Sequence, residues 1–498
     1  MKVLITDNLS PLAADMLRSA GIGVDIHLKQ TPEQLAELAP SYDGWLIRSG
    51  TQITADLLDK AANLKAIGRA GVGVDNVDLT AATRHGVLVL NAPDGNTLST
   101  AEHTCAMLLA LSRHIARAAT STADGKWERK KFMGAEVYGK TLGVVGVGKI
   151  GRAVAKRMQA FGMRVVGFDP VLSTDVADRL GIELMDLDEL FRQSDYLTFH
   201  TPLNTHTKGL LNATTLEGCK DGVRVVNCAR GGIVDEADLL AALEAGKVAG
   251  AALDVYSSEP PPPELTALLA HPRVLATPHI AASTEEAQEK VAQQVTEQLI
   301  NALQGRPVST PVNSMAIRMA AQPEVQPYLR LAEKLGEVQG QLSGAAVGRV
   351  TVTCAGDLVQ RYAEVIGVGV LKGLLSAWHN EPVNYINAKT FADDAGLRVE
   401  SRQTSADGQF ANLVEVDIET GRGTRTIAGA VFGDDDVRLV RFDGYQFEVR
   451  PEGTVLFYVN ADRPGMLAAV GHELAQASIN IGALSLGRHG GRGEPALT

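Results

Sequence analysis

Three side chains in the middle of the chain could together carry out proton and carbonyl chemistry. Arg230 lies in the segment Asn-Cys-Ala-Arg-Gly-Gly, and Glu259 and His279 lie further along the chain. A guanidinium can bind a carboxylate and an adjacent carbonyl oxygen, and a carboxylate can orient an imidazole that carries a proton. The trio predicts that Arg230 binds and polarises a substrate, His279 is the acid and base, and Glu259 orients His279. The ordinary alternatives are a surface salt bridge for Arg230 and a hydrogen-bonded core position for His279.

A glycine-rich segment between an apolar run and a helical run suits phosphate binding. Gly146, Gly148 and Gly151 have the spacing at which the first glycine permits a tight turn, the second lets backbone approach a pyrophosphate and the third lets helix and strand pack closely. Asp169 ends the next apolar run, where a carboxylate can accept hydrogen bonds from a ribose diol and repel a 2′-phosphate. The pattern predicts NAD as cofactor, so that the trio would assist hydride transfer. The alternatives are an ordinary glycine turn and a solvated acid.

The elements that must position these residues are apolar runs alternating with helical segments. Such alternation predicts an α/β protein with parallel sheets covered on both faces. The runs form two series, which indicate two doubly wound lobes of the Rossmann or flavodoxin-like kind. They are residues 3–5, 44–47, 64–67 and 87–90, and then 142–145, 164–168, 196–199, 223–226 and 249–253. The candidate residues follow runs of the second series, at the edge where open α/β sheets bind ligands.

Two long helical segments, 99–120 and 283–303, bracket the second series, with Ser99 and Glu102 at capping-box spacing. They divide the chain into a discontinuous substrate-binding domain (1–98 and 283–316) and an inserted NAD-binding domain (99–282). Residues 318–452 predict a separate α+β domain. From residue 454, a strand (455–459), a helix (466–477) and a strand (479–486) predict part of a βαβ unit of the ferredoxin-like kind.

Composition narrows the class of protein. The chain has 498 residues, 47 Lys and Arg against 58 Asp and Glu, and a formal charge of −11. This acidic balance without a long basic tract argues against nucleic acid as a partner. The start does not read as a signal peptide, and no apolar run approaches the roughly 20 residues needed to span a bilayer. We therefore expect a cytoplasmic protein without membrane contact. The four cysteines lack metal-ligand spacing and predict reduced thiols and no metal site.

Five motifs connect these observations to a known family. They are Gly-Val-Gly-Val-Asp-Asn (71–76), Gly-Val-Gly-Lys-Ile-Gly (146–151), His-Thr-Pro-Leu (200–203), Asn-Cys-Ala-Arg-Gly-Gly (227–232) and Pro-His-Ile (278–280). In this order and spacing, residues 1–316 resemble the D-2-hydroxyacid dehydrogenases. Within that family they resemble the branch that oxidises 3-phosphoglycerate to 3-phosphohydroxypyruvate, the first step of L-serine biosynthesis.

The resemblance implies roles for individual residues. It implies Arg230, Glu259 and His279 as catalytic residues, and a substrate site that includes Arg48, Ser49, Val72 and Gly73, with Arg69 as a further cation. Arg129 and Lys131 could reach the same anion from a neighbouring subunit. The alternative for these cations is solvated surface charge. The implied NAD contacts, besides the three glycines, are Lys149, Ile150, Asp169, Thr201, Cys228, Ala229, Asp254, Ala281 and Ala282.

The C-terminal part resembles the long form of these enzymes, with an intervening domain and an ACT-like domain. This implies L-serine as an effector at Asn460, Asp462 and Asn480. A complete ACT unit needs about one more helix and strand after the last residues given, so an incomplete unit without a serine response is the other expectation.

Two further readings stay open. One keeps the reaction and changes the substrate to another 2-hydroxy acid, such as glycerate, glyoxylate, hydroxypyruvate or lactate. The other is an NAD-sensing binding protein similar to the C-terminal binding protein corepressors, which would not need a proton carrier with its carboxylate. In either enzyme reading, the long helices and the resemblance imply a homodimer or homotetramer.

Overall fold

A computed structural model describes residues 1–344, 346–379, 381–406, 408–488 and 495–498. Its first sheet is wholly parallel, with the strand order β2-β1-β3-β4-β5. The strands are β1 (Lys2–Ile5), β2 (Gly23–Ile26), β3 (Gly44–Ile47), β4 (Ala66–Arg69) and β5 (Leu88–Leu90), and the helices are α1 (Pro11–Ser19), α2 (Pro32–Leu38), α3 (Ala55–Leu58) and α4 (Leu79–Arg84). Apolar clusters cover both faces of this sheet, as the doubly wound prediction requires.

The segment predicted as one helix over 99–120 is two helices, α5 (Thr97–Arg113) and α6 (Ile115–Ala123). His114 separates them with a left-handed φ of 53°, a conformation that ends a helix. The predicted capping box was also wrong. Asn96 is the N-cap residue, and the Ser99 hydroxyl lies inside the helix, where it donates to the Asn96 carbonyl.

The second sheet has seven parallel strands in the order β12-β11-β10-β9-β6-β7-β8, so the order in which strands are added reverses at the β6/β9 pair. The strands are β6 (Thr141–Val145), β7 (Arg164–Phe168), β8 (Glu183–Leu184), β9 (Tyr196–Phe199), β10 (Val223–Asn227), β11 (Val248–Leu253) and β12 (Val274–Ala276). Its helices are α7 (Lys149–Ala160), α8 (Thr174–Arg179), α9 (Leu187–Gln193), α10 (Ala213–Gly218), α11 (Glu236–Glu244) and α12 (Thr266–Leu269). All residues of β6 and β9 are buried, which explains their mostly apolar sequences.

Helix α13 (Glu285–Leu303) returns the chain to the first sheet. Its apolar residues, Val291, Val295 and Leu299 among them, join the core cluster that contains Val3. The chain then runs beside β5, where the Val312 backbone N–H donates to the Val89 carbonyl at 2.8 Å. We call β1–β5 with α1–α4 and α13 the first lobe, and β6–β12 with α5–α12 the second lobe.

The next part, called here the intervening unit, is α+β as predicted. Its mixed sheet has the order β14-β13-β15-β16-β17-β18. The helices are α14 (Met315–Ala320), α15 (Gln326–Leu342), α16 (Asp357–Arg361), α17 (Ala363–Ser376) and α18 (Ala388–Asp394), and the strands are β13 (Val347–Ala355), β14 (Arg398–Thr404), β15 (Leu413–Thr420), β16 (Gly423–Phe432), β17 (Asp436–Phe442) and β18 (Tyr445–Val449). Helices α15 and α17 contribute Leu335 and Val370 to one core with Val352 of β13.

The terminal unit, residues 454–498 as far as they are described, departs from its prediction. Helix α19 (Met466–Gln476) is present, but the predicted strands 455–459 and 479–486 are not. Instead, the short strands β19 (Val459–Ala461), β20 (Gly487–Arg488) and β21 (Pro495–Leu497) form an antiparallel sheet in the order β19-β21-β20. The apolar runs were misread because Ile479, Ile481 and Leu484 are exposed rather than paired in a sheet.

Candidate active site

The glycine segment forms the turn from β6 into α7. Gly146 has a φ of 92°, which an L side chain rarely adopts, and a Cβ on Gly151 would lie 2.1 Å from the Gly146 carbonyl oxygen. A Cβ on Gly148 would meet no atom within 4 Å, so this backbone is the open side of the turn. The backbone N–H groups that begin α7 face the same side, which is the geometry of an anion site at a helix N-terminus.

Asp169 directly follows β7, and its carboxylate binds the backbone of this turn. Its Oδ2 accepts from the Val147 N–H at 2.9 Å, and its Oδ1 accepts from Val171 N–H at 2.9 Å and Leu172 N–H at 3.2 Å. A carboxylate has about four acceptor positions, so it can still accept from a diol. Nearby, after β9, the Thr201 hydroxyl is buried without a hydrogen-bond partner in the described part of the chain. Both features fit a dinucleotide at this edge.

Arg230 follows β10 at the same edge. Its Nη1 donates to the Ala229 carbonyl at 2.6 Å, while the Asn227 side-chain amide donates to the Arg230 carbonyl at 2.9 Å. These two contacts fix the turn that carries the guanidinium. Beside it, burial raises the pKa of the Cys228 thiol to about 12, with the Asp254 carboxylate as a further cause. Cys228 is therefore a neutral apolar wall rather than a nucleophile.

His279 and Glu259 are brought together. Nδ1 of His279 lies 2.6 Å from Oε2 of Glu259. Burial would raise the pKa of Glu259, but the His279 contact and the Tyr256 N–H outweigh it and hold the pKa below 4.5. The carboxylate is therefore ionised at neutral pH. It leaves Nε2 as the ring nitrogen that can exchange a proton with a substrate.

Asp254 holds the backbone of the His279 loop. It is fully buried after β11 and accepts from the Thr277 hydroxyl at 2.5 Å and from the N–H groups of Ile280 and Ala281 at 2.9 Å each. Nε2 of His103, on α5, lies 3.3 Å from the same carboxylate. Burial would raise the pKa of Asp254, and these donors together lower it below 3.8.

The hydrogen bonds that Asp254 accepts from this loop, called here the clamp, constrain the backbone conformation of His279. His279 adopts a left-handed φ of 51°, which costs a residue with a Cβ about 1–3 kcal/mol unless the surroundings impose it. Because the next two N–H groups are bound to one buried carboxylate, Asp254 supplies that constraint. Asp254 lies beneath the loop and is fully covered, and its contact with NAD stays a prediction. The Gln288 side chain also anchors the loop by donating to the Ala282 carbonyl at 2.9 Å.

Two arginines of the first lobe complete the cleft. Arg48 follows β3 and Arg69 ends β4, and burial lowers the pKa of both guanidinium groups, that of Arg69 to about 10. The charge of Arg230 is the next cause for Arg69, so the second lobe brings its arginine close to the first. Ser49 is exposed beside Arg48. Three guanidinium groups in one cleft can bind a ligand with more than one anionic group.

The loop containing Val72 and Gly73 lies between these cations. The Asn91 side chain donates to the Val72 carbonyl at 2.7 Å, and a Cβ on Gly73 would lie 1.9 Å from Nη2 of Arg230. A larger residue at this position would have to push the guanidinium aside. Two ion pairs cross between the lobes here: Nε of Arg230 lies 3.0 Å from Oδ2 of Asp75, and the Lys149 ammonium contacts Asp94.

Other predicted residues lie elsewhere. Arg129 and Lys131 are on the exposed segment after α6, where Lys131 is paired with Glu128 at 2.5 Å. In the terminal unit, Asp462 binds Arg488 at 2.6 Å, Asn460 donates to the Thr498 hydroxyl at 3.3 Å, and Asn480 lies in the exposed segment after α19.

Sequence reasoning missed two residues, His103 and Asp75. A histidine on the mostly buried face of α5 was a signal for the first, since buried ionisable groups need partners. Asp75 lies inside a quoted motif, but its arginine partner is 155 positions away. Within the described residues, no helix could span a bilayer and no cluster of side chains is arranged for a metal.

Comparison with known proteins agrees with this geometry. The model for the D-isomer specific 2-hydroxyacid dehydrogenase NAD-binding domain matches residues 105–281, and that for the D-3-phosphoglycerate dehydrogenase intervening domain matches residues 324–443. The D-3-phosphoglycerate dehydrogenase of Archaeoglobus fulgidus is 42% identical over 98% of this chain and 93% of its own length. The human D-3-phosphoglycerate dehydrogenase is 41% identical over 96% of this chain and 91% of its own length.

The chain belongs to the D-3-phosphoglycerate dehydrogenase family. Among solved structures, a D-lactate dehydrogenase from Aquifex aeolicus complexed with NAD and lactic acid matches with a TM-score of 0.56 and 28% identity, covering 61% of this chain and 96% of that one. The family match and this neighbour support NAD as cofactor, as the glycine motif and Asp169 predict. Membership also confirms the two doubly wound sheets as those of a 2-hydroxyacid dehydrogenase.

Proposed function

We propose that this chain is a cytoplasmic enzyme that oxidises 3-phospho-D-glycerate to 3-phosphohydroxypyruvate with NAD, the first step of L-serine biosynthesis. The observation that carries the proposal is the position of the His279–Glu259 pair and Arg230. They lie at one edge of the second sheet and face the arginines of the first lobe. The full-length similarity to phosphoglycerate dehydrogenases supports the same substrate.

Each catalytic residue has a defined task in this proposal. Arg230 binds the substrate carboxylate and the C2 oxygen through the donors that Ala229 and Asp75 do not use. His279, neutral at Nε2, takes the proton of the C2 hydroxyl as the C2–O bond becomes a carbonyl. Glu259 accepts from Nδ1 and stabilises the imidazolium that results. Bound NAD would supply the acceptor for the hydride that leaves C2.

The glycine turn and the strand ends around it would hold the cofactor. We assign pyrophosphate binding to the N–H groups after Gly148, with Lys149 and Ile150, and ribose binding to Asp169. Thr201, Cys228, Ala229, Ala281 and Ala282 would hold the nicotinamide end. Asp254 acts beneath this surface by holding the loop.

The phosphate of the substrate is assigned to Arg48 and Arg69, with Ser49 beside them. A discriminating experiment compares NADH production from 3-phosphoglycerate with that from glycerate and lactate, in wild type and Arg48→Ala. The expected result is turnover of the phosphorylated acid, weakened in the variant without loss of activity on the others. Arg18→Ala removes an exposed arginine of the first lobe that is paired with Asp15, and serves as the control.

Other outcomes point to the alternatives. Turnover of glycerate, glyoxylate or lactate in preference to 3-phosphoglycerate would assign the enzyme to another 2-hydroxy acid. Tight NADH binding without turnover of any of them would favour an NAD-sensing protein.

We also propose the domain division 1–98 with 283–316, 99–282, 318–452 and 454–498. The packing of α13 on the first sheet supports the discontinuous first domain. A homodimer through the second lobe, with a homotetramer as the alternative, is supported by exposed apolar side chains around α6. These are Ile115, Trp127, Met133 and Tyr138. Such a partner could contribute Arg129 and Lys131, and a mass measurement in solution tests the dimer.

L-serine is the proposed effector of the terminal unit, through Asn460, Asp462 and Asn480. Asn460 lies in β19 and Asp462 directly follows that strand, which supports a polar site there. The exposed position of Asn480 means that a neighbouring surface would have to complete the site.

A further inference from the structure

Two cations that serve the ligands are each paired with an aspartate of the opposite lobe. Arg230 and Lys149 lie at the ligand edge of the second sheet. Their partners are Asp75, in the loop after β4, and Asp94, in the loop after β5. Neither aspartate was assigned a role by the sequence. The same arrangement therefore occurs twice, once at the proposed substrate position and once at the proposed pyrophosphate position.

The first pair lies in a crowded cationic site. Arg48, Arg69 and Arg230 repel one another, and the charge of Arg230 is one cause of the lowered pKa of Arg69, whereas Asp75 acts in the opposite direction. Asp75 is bound to Nε of Arg230, leaving the two terminal nitrogens, one of which also contacts the Ala229 carbonyl. A substrate carboxylate can bind the donors of Arg230 that Asp75 leaves, but it approaches a guanidinium whose charge Asp75 already partly compensates, and it comes close to a second negative charge.

The second pair lies at the start of α7. Lys149 is the first residue of that helix, and its ammonium contacts the Asp94 carboxylate. A pyrophosphate on the N–H groups of this turn would compete with Asp94 for the same ammonium. Both aspartate side chains are more than half exposed, so water can replace the contacts they lose.

We propose that Asp75 and Asp94 are internal counter-anions that weaken the binding of substrate and dinucleotide by occupying Arg230 and Lys149. They act through those cations and are positioning residues. The proposal rests on the proposed function for its substrate half, while its nucleotide half needs only a dinucleotide site. Because each aspartate competes with a ligand anion for the same cation, neither the substrate nor the dinucleotide is held so tightly that its release becomes slow.

The two halves are tested with Asp75→Asn and Asp94→Asn, which keep the side-chain volume and remove the charge. Because exposed ion pairs are worth at most about 1 kcal/mol, we expect the KM for 3-phosphoglycerate to fall about two- to fivefold in Asp75→Asn, without an increase in kcat. We expect the Kd of ADP-ribose to fall by a similar factor, about two- to fivefold, in Asp94→Asn, and the Kd of adenosine, which has no pyrophosphate, to stay unchanged.

A tighter-binding variant is a result that structural damage does not produce. The matched control is Asp221→Asn, which removes an exposed aspartate paired with Lys247 at 2.8 Å within the second lobe and should change neither constant. Unchanged or weaker binding in both variants, with 3-phosphoglycerate turned over by wild type, would overturn the proposal and leave the function intact. If wild type does not turn over 3-phosphoglycerate, the ADP-ribose titration still decides the proposal.

Discussion

Every residue of strands β6 and β9 in the second lobe is buried, whereas none of the eleven residues of α19 in the terminal unit is buried. In the second lobe, two apolar clusters clamp a seven-stranded sheet from both faces, and each candidate residue extends from a strand end. In the terminal unit, apolar side chains such as Leu467 and Ile479 remain exposed. A close-packed core fixes the direction of side chains at its edge, and the terminal unit has no comparable constraint.

The second lobe and the terminal unit should therefore differ in how strongly a substitution affects the reaction. If the second lobe alone positions His279, substitutions in that lobe should lower kcat or stability strongly. Changes in the terminal unit should then have little effect on turnover. The expected effects can be ranked on that basis.

The largest effect is expected from the proton carrier itself. His279→Ala should lower kcat for 3-phosphoglycerate by roughly 10²–10⁴-fold, because general acid–base catalysis typically contributes that much. Steady-state NADH production measures it. The control is His85→Ala, which removes a histidine paired with Asp59 at 2.9 Å, outside the cleft. Turnover equal to wild type in His279→Ala would remove the assigned role.

The next effect concerns the clamp beneath the loop. Asp254→Asn removes the charge of a fully buried carboxylate that has four hydrogen-bond donors around it. Because loss of a buried charged partner is strongly destabilising, we expect the free energy of unfolding at pH 7 to fall by about 3 kcal/mol. kcat should fall as well, because the backbone at His279 loses its restraint. Denaturant unfolding and steady-state kinetics on one preparation measure both.

The same variant gives a pH test. The folded pKa of Asp254 lies below its ordinary 3.8, so its stabilising contribution is present above that pH and is lost as the pH falls through the folded pKa. The stability difference between wild type and Asp254→Asn should therefore be largest at neutral pH and shrink in acid. A difference that grows in acid would mean that Asp254 is protonated in the folded protein.

The contrast between the regions also explains what the sequence could predict. Strands such as β7 and β9 were predicted to the residue, because largely buried parallel strands have mostly apolar sequences. β2 and β8 were missed because they are edge strands with polar or exposed residues. In the terminal unit, equally apolar runs were predicted as strands and are not, since apolar sequence alone does not supply a partner strand.

The site shows the same limit. Arg230, Glu259 and His279 could be predicted as one site because each follows a strand of one sheet, and parallel topology gathers strand ends at one edge. The two residues that the sequence missed come from other elements: His103 of α5 contacts Asp254, and Asp75 of the first lobe pairs with Arg230. Their pairing depends on the packing of lobes and helices, which neither spacing nor residue type encodes.

A smaller effect is expected at His200, which directly follows β9. Burial lowers the pKa of this imidazole from 6.5 to about 4. Because the unfolded chain binds a proton at a higher pH than the folded chain, the contribution of neutral His200 to stability is present above about pH 6.5. It decreases as the pH drops towards 4, by about 2 kcal/mol at pH 5. His200→Gln, which can keep a hydrogen bond to Thr198, should lose less stability between pH 7 and pH 5. His206→Gln, an exposed histidine, is the control, and equal losses in both variants would contradict the assignment.

The smallest effect on turnover is expected from removing the terminal unit. Its contacts with the rest of the chain go to the intervening unit: Phe457 stacks on Phe442, and the Ser485 hydroxyl accepts from the Glu448 N–H at 3.2 Å. Since these lie outside both lobes, a chain ending at residue 453 should keep kcat and KM within about twofold, as distant sites act independently. Any L-serine inhibition of the full chain should vanish in that chain and weaken in Asp462→Asn. A tenfold or greater fall in kcat on truncation would show instead that the exposed unit acts on the cleft, and the contrast between the two regions would then be one of packing and not of function.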